Sequence, residues 1–86
     1  MINKERRAMS HTPHELHEEF PGLAEKISEM KQSDAHFARL ADEYHEINRR
    51  VHRAETLVAP VEELTEVEMR KQRAILKDEI YRMLTA

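Results

Sequence analysis

From Phe37 to Ala54 the apolar residues Phe37, Leu40, Tyr44, Ile47, Val51 and Ala54 fall at alternating steps of three and four. That spacing draws one narrow seam along a helix, with charged positions on the remaining faces. Met69 to Leu84, M-R-K-Q-R-A-I-L-K-D-E-I-Y-R-M-L, is a second charged stretch with an equally thin apolar stripe. Neither stripe can be buried by its own helix. The two stretches are therefore expected to pair as an all-α, antiparallel, coiled-coil-like helical hairpin. In that pairing Leu40 faces Ile80, Tyr44 faces Ile75 or Leu76, Ile47 faces Gln72 or Arg73, and Val51 faces Met69. The half near the turn reads as the less apolar one, with Glu46 within reach of Arg73, and is expected to fray first unless a second copy covers it.

Upstream of the hairpin the pattern implies an N-terminal helical extension. Residues 1–10 contain little apolar material and read as a flexible leader, within which Met9 offers a second possible start. Residues 11–86 form a single helical domain with helices at about 13–20, 21–32, 33–55 and 61–84. Thr12 is a candidate cap, Pro13 suits a first helical position, and Glu15 completes a capping box. Pro21-Gly22 interrupts the next apolar seam, so one short helix ends near Phe20 and another starts there, a kink being the milder alternative. Ser33 and Asp34 are both good caps for the long helix. The turn falls at Thr56 to Pro60, where Pro60 restricts Ala59. Thr65 with Glu68 offers a second capping box for the return helix.

Composition bounds what such a chain can do. Of 86 residues, 36% are charged and 5% aromatic, with a single glycine, which suits solvated helices better than a sheet or a deep catalytic pocket. A formal charge of -3 with both signs interspersed argues against holding nucleic acid or anionic membrane by bulk electrostatics. Cysteine is absent, which excludes disulfides and thiolate ligands. The longest apolar run, Leu57 to Val61, contains Pro60 and is too short to cross a bilayer. The reading is a soluble cytoplasmic protein that is no enzyme, with no cofactor and no evident small-molecule substrate.

Two stretches carry a family resemblance: D-E-Y-H-E, Asp42 to Glu46, and L-K-D-E-I, Leu76 to Ile80 after a basic run. With F-P at Phe20 and I-S-E-M-K from Ile27 to Lys31, the chain resembles the YdcH-like family of small bacterial proteins over about residues 14–84. The resemblance implies a helical hairpin and brings no activity, substrate or catalytic residue with it.

Three residue sets bear on function. Leu16, Phe20, Leu23, Ile27 and Met30 continue the apolar seam beyond what the return helix can cover. They either fold back on the hairpin or meet another chain, and the small size favours a homo-oligomer or another helical protein. Arg49, Arg50, Arg53, Arg70, Lys71 and Arg73 approach one another in the antiparallel register and offer an anion-binding patch for nucleic acid. An equal number of nearby glutamates favours a mixed, salt-bridged surface instead. His14, His17 and Glu18 share a helix face and have the spacing of metal ligands, but a solvated face accounts for them, and no metal is expected. Paired carboxylates such as Asp78 and Glu79 have neither a pocket nor a nucleophile beside them.

Overall fold

The computed structural model describes residues 12–56 and 61–86. The expected leader and most of the expected turn lie outside the described residues. Among the described residues four α-helices follow in order: α1 (Leu16–Glu19), α2 (Ala24–Ser33), α3 (Ala35–Glu55) and α4 (Glu63–Leu84), with a 3₁₀ turn at Pro21–Leu23 between the first two. No strand occurs among the described residues. α3 and α4 form the antiparallel hairpin, and α1 and α2 make the helical extension, which folds back onto α3.

The long helix earns its start from Asp34. Its extended backbone ends α2, and its side chain accepts a hydrogen bond from the Phe37 backbone N–H at 3.1 Å, satisfying one of the first-turn donors. Ser33, the other cap candidate, stays inside α2 and donates its hydroxyl to the Glu29 carbonyl instead. Pro21 breaks the helix rather than kinking it: Phe20 leaves helical geometry, and Pro21 opens the 3₁₀ turn that leads into α2.

α3 buries Phe37, Leu40, Ala41, Tyr44, Ile47, Asn48, Val51 and Ala54. This face is wider than the sequence seam because α3 is covered on two sides, by α4 and by α2. α4 contributes Met69, Leu76, Ile80 and Leu84. Ile75 is 62% exposed, so Leu76 takes the place left open between the two. The extension adds Leu16 and Ile27 to the same core, with Phe20, Leu23 and Met30 partly buried against it.

Several expectations are corrected. The half near the turn carries its own apolar packing, since Val51, Ala54 and Met69 are all buried. Thr12 and Pro13 do not start a helix: α1 begins at Leu16, Glu15 precedes it in extended conformation with no side-chain cap, and His14 has φ 67°. Tertiary hydrogen bonds to the Pro13 and His14 carbonyls override the local capping signal. The Thr65–Glu68 box does not form either, because α4 starts at Glu63 and Thr65 already lies within it. Glu63 and Glu66 in that first turn offset the positive helix end instead.

Candidate functional site

The left-handed backbone at His14 turns the chain so that two successive carbonyls face α3. The Pro13 carbonyl accepts from the Asn48 amide at 2.9 Å, and the His14 carbonyl accepts from the Tyr44 hydroxyl at 2.6 Å. Asn48 is fully buried, and its carbonyl oxygen accepts from the Arg73 guanidinium of α4 at 2.9 Å. Its amide also lies 3.4 Å from a Glu15 carboxylate oxygen. One buried side chain thus ties the extension, the long helix and the return helix together. His45 and Glu15 add an exposed contact at 2.8 Å across the same seam. Burial pushes the Tyr44 phenol up to about 12, helped by the Glu19 and Glu15 charges and opposed by Arg73.

Beside this clasp, Lys77 of α4 donates to Glu19, and its ammonium lies 5.9 Å from the Phe20 ring centre. Phe20 in turn stacks on Tyr81 with ring centres 5.4 Å apart. The hydrogen bond from Lys77 holds the Glu19 carboxyl below its ordinary value against the opposing effect of burial, and His14 at 3.1 Å assists. His14, Glu19, Tyr44, Arg73 and Lys77 line a cleft of about 230 Å³. Glu19, Tyr44 and Arg70, which also borders this cleft, are all pushed away from neutrality, the wrong direction for acid–base catalysis at neutral pH.

The candidate residues are placed as follows. Leu16 and Ile27 are core residues, and Phe20, Leu23 and Met30 pack on that core, so the seam that needed a cover finds it within its own chain. Four of the six cations have partners. Arg70 is held by Glu55 at 2.9 Å and by Glu66, Lys71 lies 4.0 Å from Glu68, and Arg49 lies 3.7 Å from Glu46. Arg73 turns inward to Asn48 rather than outward to Glu46. Arg50 and Arg53 flank Val61 and Met69 in a small cleft near the turn. His14, ahead of α1, pairs with Glu19 at the end of that helix, and among the described residues no three histidines or acids come close enough to hold a metal ion.

Sequence reading missed a surface. Leu64 is 71% exposed, and Val61, Val67 and Ile75 are exposed with it, on the side of the return segment away from the core. The signal was in the α4 sequence: Leu64 and Ile75 are eleven positions apart, three helical turns, and neither belongs to the Met69–Leu76–Ile80–Leu84 stripe.

These features define a class: an all-α hairpin whose N-terminal helical segment is clasped onto it by the buried side chains of Asn48 and Tyr44. The chain belongs to a family of proteins of unknown function (DUF465), which matches it over residues 37–84. This is the YdcH-like family that the Asp42 to Glu46 and Leu76 to Ile80 stretches resemble. The match starts at the first buried residue of α3 and ends at the last of α4, so it covers the hairpin. Comparison with curated proteins and with solved structures gives no match. Among the described residues no helix is long and apolar enough to cross a membrane.

Proposed function

We propose that the protein is a small, non-enzymatic cytoplasmic interaction or adaptor module that associates with itself. One observation carries this reading: α4 is apolar on both sides, burying Met69, Leu76, Ile80 and Leu84 while exposing Leu64 and Ile75. A solvated helix face has no need of two large aliphatic side chains on one stripe, whereas an interface does. Phe20, Leu23 and Met30 keep partial exposure and extend the apolar surface available to a partner, while Leu16 and Ile27 support the fold beneath it. A chain without cysteine suits a reducing compartment.

The test is solution mass by light scattering across a dilution series, with helicity followed in parallel. The expected result is a dimer or larger species at high concentration. A monomer at every concentration overturns self-association.

A second reading, a nucleic-acid-linked regulator, draws on Arg50 and Arg53, for which no acid partner occurs among the described residues. It predicts retention on RNA or DNA at low salt that weakens when both are changed to Ala, and no retention at low salt removes it.

A further inference from the structure

The outer stripe of α4 has an internal symmetry that selects its occupant. Leu64, Glu68, Lys71 and Ile75 recur at steps of four, three and four, so they lie along one side of the helix. Leu64 and Ile75 are 71% and 62% exposed, and Glu68 and Lys71 project beside them with side chains 65% and 68% exposed. Read in order the stripe is apolar, acidic, basic, apolar. Read backwards, each charge is exchanged for its opposite and each apolar end meets an apolar end.

Resting on the self-association proposed above, we infer that two copies of this chain pack α4 against α4, antiparallel, about a two-fold axis between Glu68 and Lys71. Leu64 then packs on Ile75 of the partner subunit, and Glu68 faces Lys71 of the partner subunit. A two-fold axis makes each contact twice. Four charges therefore alternate in sign around the axis, with one aliphatic pair sealing each end. A parallel pairing sets Glu68 against Glu68 of the partner subunit and Lys71 against Lys71 of the partner subunit, which repel. Within one copy Glu68 and Lys71 are 4.0 Å apart, a loose contact between exposed groups that leaves both able to reach across. A partner of different sequence has no need of this mirrored order. The face is one helix of 22 residues, about 33 Å long, and buries less than the ~800 Å² per partner of a standard interface. The dimer is accordingly weak and reversible on dilution.

The experiment is sedimentation equilibrium of the full chain at low ionic strength, with helicity recorded for each variant. The wild type is expected to be a reversible dimer, loosened at least ~100-fold by Leu64→Asp with Ile75→Asp. Glu68→Lys alone and Lys71→Glu alone each weaken it by about 10-fold, and the two combined restore it, because both copies then carry the exchanged charges. If the aspartate variant loses helicity, the charge series decides. A dimer that survives Leu64→Asp with Ile75→Asp at full helicity overturns this face while leaving self-association standing. Failure of the double charge exchange to restore what the single reversals weaken overturns the two-fold pairing. A wild-type monomer throughout, its stripe covered by its own residues or by a different protein, overturns both.

Discussion

Asn48 spends its polar atoms on three segments at once, with the Pro13 carbonyl and Glu15 on one side and Arg73 on the other. Replacing it by Ala deprives the part-buried Pro13 carbonyl and Arg73 guanidinium of this partner and opens a small void. Asn48→Ala is therefore expected to destabilise the fold by about 2 kcal/mol in urea unfolding. Tyr44 makes a pH-dependent contribution. A phenol whose pKa rises on folding favours the folded state below its ordinary value of 10.0, and that stabilisation is lost as pH climbs toward about 12. Alkaline unfolding should steepen across that interval, and Tyr44→Phe should remove the steepening while costing about 1 kcal/mol at neutral pH. Tyr44 was readable as a seam residue from its spacing, but Asn48 was not. With Phe37, Ala41, Tyr44 and Val51 it completes a second three-and-four repeat. Its added members, Ala41 and Asn48, carry little hydropathy signal, although the position of Asn48 one step from Ile47 places it at the edge of the buried face.

Among the elements, α2 docks through little more than Ile27, and α3 depends on Asp34 for its first turn. Asp34→Ala should lower stability by about 1 kcal/mol by thermal or urea unfolding, through loss of the cap to Phe37. The α1 junction responds to acid. Glu19 has its pKa lowered by Lys77, so it stabilises the docked extension above its ordinary value and ceases to as pH falls through the lower folded value. Acid should loosen the contact of Phe20 with Tyr81 in the wild type, and Glu19→Gln should make that loosening independent of pH across the same range. The helices themselves were legible because period 3.6 runs through them and because Asp34, Pro21 and the acidic start of α4 are strong local punctuation. Their first residues were less so. Thr12 and Thr65 both satisfy a capping pattern that the fold does not use, because the Pro13 and His14 carbonyls bond to α3 and the α4 helix begins at Glu63.

At the scale of the whole molecule the family match falls on the hairpin, and the extension covers one side of it. Such a cover should separate from the unit beneath it. Ile27→Asp is expected to speed hydrogen exchange in 24–33 while amides of 37–54 stay protected, and equal loss in both would mean that the two parts unfold together. The sequence specified that the seam from Leu16 to Met30 needed burial but not where, since a fold-back and a second chain satisfy the same hydrophobic pattern. The fold-back carries polar contacts that the hydrophobic pattern does not encode: the carbonyls of Pro13 and His14 accept from Asn48 and Tyr44 of α3. The contacts of Tyr44 and Tyr81 also give the molecule an optical property. The chain has no tryptophan and two tyrosines, and both of these touch the extension, Tyr44 through the His14 carbonyl and Tyr81 through the Phe20 ring. Its near-ultraviolet circular dichroism and intrinsic fluorescence thus arise at the boundary between cover and hairpin, so release of the cover can be followed without any attached label.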